Sequence, residues 1–94
     1  MVGQVRCDWD NCMVAIANET RQKILSLVGL REMCVSELEA ALPVSQPTVS
    51  YHLAVLRRAH LVTIRREGHR VYYRINGDCV ITCLQDFLTQ FRNE

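Results

Sequence analysis

The sequence of 94 residues predicts a mainly α-helical fold with one β-hairpin. Four stretches repeat their apolar residues with the period of a helix, a fifth opens with a helix-capping sequence, and one stretch alternates with the two-residue period of a strand. The composition is 49% hydrophobic with only 4 Gly and 2 Pro, which excludes a disordered tail, a collagen-like repeat and a linker. The length predicts a single domain over 1–94, with a core small enough that we expect an oligomer.

The first two helices are predicted near the N-terminus. Trp9, Met13 and Ile16 stand at i, i+4 and i+7, which indicates a short amphipathic helix. This helix belongs to an N-terminal arm, residues 1–15. Asn18 is the predicted N-cap of a second helix, which carries an apolar stripe to about Leu30.

The next two helices have the spacing of a helix-turn-helix. Ser36 opens a capping-box sequence, so we expect it to cap a short helix that ends at Leu42-Pro43. Ser45 is the predicted cap of the following helix, where proline is tolerated in the first turn. Two or three residues join these helices within the segment 36–58, as in a helix-turn-helix. The second helix has a predicted buried stripe of Val49, Leu53 and Leu56.

The last elements are a hairpin and a terminal helix. Leu61–Arg66 and Arg70–Ile75 alternate in β fashion around the turn Glu67-Gly68-His69, which predicts a hairpin over residues 61–75. Gly77-Asp78 is the predicted cap of a helix over 78–92. That helix has more apolar residues than a free surface helix exposes, so it either closes over the core or pairs with a second copy of the chain. We expect pairing, because the helix is terminal and the protein is small. Its apolar residues are Val80, Ile81, Leu84, Phe87, Leu88 and Phe91. The order of elements predicts a winged helix-turn-helix.

The net charge of +1 hides a segregated distribution. Residues 45–75 contain six arginines and one acidic residue, and all three histidines of the chain. Such a segment is typical of a surface that binds a polyanion. The sequence has no phosphate loop, HExxH motif or nucleophile elbow, so it indicates a binding protein and not an enzyme.

Candidate DNA-contacting residues follow from the helix-turn-helix and the basic hairpin. Short polar side chains opposite the buried stripe allow a helix to approach base edges, and arginines are suited to phosphates. The alternatives are that Ser45 only caps the helix and that His52 only bonds within the fold. The predicted contacts are Ser45, Gln46, Thr48, Ser50, Tyr51, His52 and Arg57 on the helix, with Arg65, Arg66, His69 and Arg70 on the hairpin.

The location and redox state of the chain are also predicted. No apolar run approaches the ~18 residues of a membrane span, and no secretory leader is visible. We therefore expect a cytoplasmic protein. Five cysteines are an odd number, and in a reducing compartment this favours free thiols for metal or redox chemistry over structural disulfides.

Several blocks in order resemble the ArsR/SmtB repressors. They are Ile16-Ala17-Asn18-Glu19-Thr20-Arg21 with Ile24-Leu25, Glu32–Leu38, Ser45–Leu53, and Leu56–Val62 followed by Arg66–Tyr73. The resemblance implies a winged helix-turn-helix homodimer that is paired through its first and last helices. It also implies a repressor that leaves operator DNA when a metal or metalloid binds.

Two groups of cysteines are candidates for the inducer site. Cys34 occupies the leading cysteine position of the family's metal box, and Cys7 and Cys12 lie in the arm; we call these three the arm–box cysteines. Ser36 stands at the second box position, so three thiolates remain, which suit As(III) or Sb(III). Cd(II), Pb(II), Hg(II) and Zn(II) are further thiophilic candidates. The second choice is the pair Cys79 and Cys83, one helical turn apart on the last helix.

A metal-free redox switch is the alternative function. In that case Cys79 and Cys83, or an arm cysteine and Cys34, would oxidise to a disulfide. Relatives that sense by disulfide formation place a cysteine roughly where Ser26 stands here, which counts against this alternative.

Overall fold

The computed structural model describes residues 9–92, with five helices and three strands in that range. They are α1 (Trp9–Ile16), α2 (Glu19–Leu30), β1 (Met33–Cys34), α3 (Val35–Ala41), α4 (Gln46–Arg58), β2 (Val62–Glu67), β3 (Arg70–Ile75) and α5 (Gly77–Arg92). The predicted helical fold with a hairpin wing is confirmed. No helix within these residues is long and apolar enough to cross a membrane.

The N-cap of α2 is the residue that the sequence predicts, and the N-cap of α3 is a different residue. The Asn18 side chain accepts a hydrogen bond from the Arg21 backbone N–H at 2.9 Å, as predicted. Helix α3 starts earlier, at Val35, with Cys34 in the cap position. The Glu37 carboxylate accepts the Cys34 backbone N–H at 2.9 Å, which fixes the cap three residues before Glu37. The prediction that Ser36 caps this helix is therefore wrong.

Helices α4 and α5 begin close to their predicted positions. Ser45 is the N-cap of α4, and its hydroxyl lies 3.1 Å from that of Thr48. At α5 the Val80 N–H bonds to the Asn76 carbonyl at 3.1 Å. A cap residue accepts the first helical hydrogen bond through its carbonyl, so Asn76 occupies the cap position that the sequence assigned to Gly77-Asp78.

The sheet contains the predicted hairpin and one strand that the sequence did not reveal. Glu67 pairs with Arg70, which leaves Gly68 and His69 as the connection. Gly68 has a φ of 60°, a conformation that favours glycine. Strand β1 pairs antiparallel with β3, and the strand order is β1-β3-β2. Two residues are too few for a periodic signal, so β1 could not be predicted.

The hydrophobic core packs against one side of α4. Its predicted stripe of Val49, Leu53 and Leu56 is fully buried, and so are Leu38 of α3 and Leu61 at the start of the wing. This packing fixes one side of α4 against the scaffold. The opposite side of α4 is left at the surface.

Helix α5 has a buried side and an exposed apolar side. Cys79 and Cys83 are buried in the core. Ile81, Leu84 and Leu88 are 55%, 43% and 56% exposed. They stand at i, i+3 and i+7, so they form one apolar strip, which we call the α5 strip.

Candidate nucleic-acid interface and thiol sites

The first half of α4 presents most of the predicted DNA-contacting residues to solvent. Ser45, Gln46, Ser50 and Tyr51 are exposed, and Thr48 is half-buried. The backbone N–H groups at the start of a helix carry partial positive charge. Short side chains near this end allow the backbone to approach a groove of a duplex.

His52 lies on the packed side of α4. Its ring is only 9% exposed, and Nδ1 is 3.0 Å from Nη1 of Arg21. Burial, and secondly the positive charge of Arg21, lower the pKa of His52. The prediction that His52 faces DNA is therefore wrong, because His52 follows Val49 by three residues and shares its buried side.

Arg65 differs from the other basic residues of the wing. It donates hydrogen bonds to the Glu32 and Glu67 carboxylates, each at 2.7 Å, and stacks on Tyr72 at 4.8 Å. The hydrogen bond from Arg65 lowers the pKa of Glu32. The charge of Arg65 is thus compensated within the protein. Its contacts fasten the wing to the segment before β1.

The remaining predicted basic contacts are exposed. Arg57 lies in the last turn of α4, Arg66 on β2, His69 in the hairpin connection and Arg70 at the start of β3. Nη1 of Arg70 is also 4.0 Å from Sγ of Cys34. Helix α4 and the tip of the wing therefore present two separate sets of exposed hydrogen-bond donors.

Sequence reasoning missed Arg21 and Glu32. Arg21 stands on the buried stripe of α2, three residues before Ile24 and seven before Val28. A charged residue at a core position was the available signal. Glu32 had no such signal, because its role depends on Arg65, 33 residues later in the chain.

Cys12 and Cys83 form a disulfide that links α1 to α5. Their S–S distance is 2.07 Å and their Cα atoms are 6.4 Å apart. Cys79 is also disulfide-bonded. The expectation of free thiols over structural disulfides is therefore wrong for these three residues. For Cys12 and Cys83 the reason is that α1 packs directly on α5 and both side chains are buried there.

The arm–box cysteines are not brought together in the described residues. Cys7 lies outside residues 9–92, and Cys12 is bonded to Cys83. Cys34 is a free, buried thiol at the start of α3, 3.3 Å from the Ser36 hydroxyl. Within residues 9–92, no three His, Cys, Asp or Glu side chains are arranged to hold a metal ion.

The last-helix cysteines share the buried side of α5, as their spacing indicates, but both are disulfide-bonded. A thiolate site at Cys79 and Cys83 requires their reduction first. The disulfide observed for Cys83 differs from the predicted redox pairs, since it joins Cys83 to Cys12 and not to Cys79.

Comparison with known proteins identifies the family. A family model described as bacterial regulatory protein, arsR family, matches residues 18–63, which run from the cap of α2 into β2. The arsenic resistance transcriptional regulator ArsR1 of Pseudomonas putida is 45% identical over 64 residues, which are 67% of this chain and 50% of that protein. This chain therefore spans about half the length of that relative.

Two further matches cover more of both chains. The transcriptional repressor SdpR of Bacillus subtilis is 32% identical over 84 residues, which are 89% of this chain and 89% of that protein. The solved structure of an ArsR-like transcriptional regulator from Rhodococcus sp. RHA1 has a TM-score of 0.81 at 26% identity, covering 90% of this chain and 80% of that chain. The chain belongs to the arsR family of bacterial regulatory proteins, which are transcriptional regulators and not enzymes.

Proposed function

We propose that the protein is a cytoplasmic transcriptional repressor that binds operator DNA as a homodimer. The observation that carries this proposal is α4, whose apolar stripe is buried while its polar residues are exposed at the surface. A two-fold dimer would bind an inverted repeat with half-sites about one helical turn, ~34 Å, apart.

The α5 strip supports the homodimer. Ile81, Leu84 and Leu88 expose a continuous apolar surface on a helix whose other side is in the core. A second copy of the chain would cover this strip in an isologous contact, in which the same residues meet across the two-fold axis. Dimerisation then sets the distance between the two α4 helices.

The exposed donors have different roles in the proposed complex. The Gln46 amide can form two hydrogen bonds with adenine, and the hydroxyls of Thr48 and Ser50 can bond either to bases or to phosphates. Arg57 and the wing residues outside the Arg65 ion pairs neutralise phosphates. Affinity for DNA should therefore fall steeply as salt concentration rises.

The proposed inducer is As(III) or Sb(III), bound by thiolates of the reduced protein. Support comes from ArsR1, which is named as an arsenic resistance regulator, and from the preference of soft thiolates for thiophilic ions. The arm–box cysteines and the last-helix cysteines are the candidate ligands. Because the ligands must be deprotonated, induction should weaken as pH falls.

The Cys12–Cys83 disulfide favours a second candidate function, a thiol redox switch. In that reaction the two thiols lose two protons and two electrons to form the S–S bond. Hydrogen peroxide is the oxidant and is reduced to two water molecules. The bond fixes α1 to α5, the helix that carries the proposed dimer contact, so oxidation would change the arrangement of the two α4 helices.

Operator release distinguishes the two inducers. The DNA probe is a duplex selected from a random-sequence library by the purified protein, and binding is followed by fluorescence anisotropy. As(III) is added to the fully reduced protein, and hydrogen peroxide is added in a separate arm without metalloid. Cys34→Ser and Cys83→Ser are tested beside the wild type.

A metalloid inducer predicts release by As(III) under reducing conditions, and a coupling of 1–3 kcal/mol corresponds to roughly 5–150-fold weaker binding. A redox switch predicts release by peroxide alone, abolished by Cys83→Ser. If the reduced protein is monomeric and selects no duplex at low salt, the proposal of a repressor is wrong.

A further inference from the structure

Arg21 connects α1, α2 and α4 through one buried guanidinium group. The side chain lies on α2 and is only 8% exposed. Its Nε donates to the Ala15 carbonyl at 2.7 Å, and Nη2 donates to the Val14 carbonyl at 3.3 Å. Nη1 lies 3.0 Å from Nδ1 of His52 on α4. The group therefore contacts α1 through Nε and Nη2 and α4 through Nη1.

The contact with His52 requires one protonation state of the ring. A guanidinium group only donates hydrogen bonds, so Nδ1 of His52 must accept and the proton of the neutral ring must be on Nε2. A protonated ring would direct an N–H and a positive charge at Arg21. The burial that surrounds both side chains makes such a mismatch costly.

The carbonyls that Arg21 binds belong to the last turn of α1. A helix leaves its last carbonyls without partners inside the helix, and here Arg21 satisfies two of them. The position of Arg21 is thus tied to the end of α1. The same helix carries Cys12, which is bonded to Cys83 of α5. An unbroken series of contacts therefore runs from α5 through α1 and Arg21 to His52.

His52 lies within the helix that presents the candidate DNA contacts. It follows Tyr51, which is 60% exposed, and the two rings meet edge to face with their centroids 5.2 Å apart. Ser50, Tyr51 and His52 are consecutive residues of one helical turn, so a shift of the α4 backbone at His52 would also move the candidate DNA contacts. Within this series of contacts, only the cysteines are also predicted inducer ligands.

We propose that Arg21 and His52 are positioning residues that transmit the position of α1 to α4. The bonding state of Cys12 changes the position of α1, and the hydrogen bond from Arg21 to His52 carries this change to the DNA-contacting helix. The effect on operator affinity rests on the proposed function. The mechanical link between α1 and α4 is independent of it.

Two substitutions of His52 separate the link from simple loss of packing. His52→Leu removes the acceptor and keeps an apolar side chain of moderate size. His52→Asn places an amide oxygen near the position of Nδ1 and restores an acceptor that does not titrate. His60→Asn is the matched control, because His60 has a φ of 64°, a backbone conformation that asparagine tolerates.

The first measurement needs no DNA. Hydrogen exchange of the amides of α4 is compared, relative to that of the amides of β2 and β3, between protein with the Cys12–Cys83 bond oxidised and protein reduced with a dithiol, because loss of the bond lowers the stability of the whole domain. The wild type, His52→Asn and His60→Asn should show a redox-dependent change in α4, and His52→Leu should lose it. The second measurement is the ratio of operator affinities in the two redox states, expected to be fivefold or more in the wild type and near one in His52→Leu.

The outcomes distinguish the two proposals. If exchange in α4 of the wild type is the same in both redox states, the link does not exist, whatever the stability of the variants. If His52→Leu keeps the full redox response, His52 does not carry the link. If α4 responds as expected but no duplex is bound, the link stands and the proposed function fails.

Discussion

Adjacent residues of α4 have opposite environments, because a helix turns by about 100° for each residue. Tyr51 is 60% exposed and available to a ligand, whereas His52 is 9% exposed and bonded to Arg21. The polar character of both residues suggested the same role. Only the partner on α2 shows that His52 belongs to the scaffold, and that partner lies 31 positions away in the sequence.

The lowered pKa of His52 makes stability depend on pH in a defined direction. The unfolded ring titrates near ~6.5 and the folded ring below it. Between these values the unfolded chain binds more protons, so the free energy of unfolding is highest above pH ~6.5 and falls as the pH drops toward the folded pKa. The charge that faces His52 is that of Arg21. Urea unfolding from pH 5 to 8 measures this.

His52→Asn provides the comparison for the pH dependence. Its amide does not titrate, so the part of the slope between pH 5 and 6.5 that belongs to His52 should disappear. His60→Asn should retain the part of the slope that belongs to His52. Identical pH profiles for the wild type and His52→Asn would show that His52 is not the responsible group.

Release of Arg65 from Glu32 should strengthen DNA binding. Glu32→Gln removes one of the two carboxylates that compensate Arg65, so the guanidinium becomes available to a phosphate. We expect tighter binding and a log–log salt slope steeper by up to about one. The pair is partly exposed, so the free energy of unfolding should change little. Anisotropy titrations from low to high salt measure the effect.

Asp86→Asn is the control for this prediction. It makes the same change in net charge at an exposed position of α5, away from the wing. A general effect of charge would change both variants alike. The role assigned to Arg65 would be wrong if the salt slopes of Glu32→Gln and the wild type coincide.

At the scale of elements, the sequence predicted those helices and strands whose defining residues lie close together in the chain. The stripe of α4 and the alternation around Gly68 lie in continuous stretches of sequence, so the helix and the hairpin could be predicted from them. Strand β1 exists only because Met33 and Cys34 pair with Tyr73 and Tyr72. Helix α3 starts earlier than predicted for a related reason. Glu37 accepts a hydrogen bond from the backbone N–H of Cys34, which is the strand residue before the helix.

A charge in the α5 strip should separate the proposed dimer. Leu88→Glu places a carboxylate on a surface that dimerisation would bury, where an unpaired charge is strongly disfavoured. We expect a monomer by sedimentation or light scattering, with operator affinity lowered by at least tenfold. The side chain is 56% exposed in the protomer, so the protomer should remain folded by circular dichroism.

Gln90→Glu is the matched control on the same helix. It introduces the same charge at an exposed position on the other side of α5 from the α5 strip, and it should remain dimeric. A dimeric Leu88→Glu protein that binds the operator normally would contradict the assignment of this strip to the dimer interface.

At the scale of the whole molecule, the sequence could not predict which cysteines form a disulfide with each other. Spacing alone placed Cys79 and Cys83 on one side of a helix, and this agrees with the structure. The cysteine that faces Cys83 is 71 residues earlier in the chain, and its place there depends on how α1 packs on α5. The charge distribution, in contrast, needs no tertiary detail, and the basic segment indeed contains α4 and the wing.

The Cys12–Cys83 bond should contribute strongly to stability. It closes a loop with a sequence separation of 71 residues, and the chain-entropy model gives a stabilisation of about 4 kcal/mol for loops of this size. The double substitution Cys12→Ser with Cys83→Ser should lower the free energy of unfolding in urea by about 2–5 kcal/mol relative to the oxidised wild type.

Cys34→Ser controls for the loss of a buried thiol. Cys34 is a free thiol, so the variant loses no crosslink, and we expect a change of about 1 kcal/mol. If the double variant unfolds at the same urea concentration as the oxidised wild type, the bond is absent in solution or contributes nothing.

The short strand β1 has a consequence for the spacing of the target sequence. Because β1 leads directly into α3 and pairs with β3, the helix-turn-helix and the wing are joined through the sheet. In the proposed complex, the helix-turn-helix and the wing of one protomer would therefore contact the duplex at a fixed separation. An extra base pair inside one arm of the palindrome should therefore abolish recognition, whereas one inserted at its centre strains only the contact between subunits.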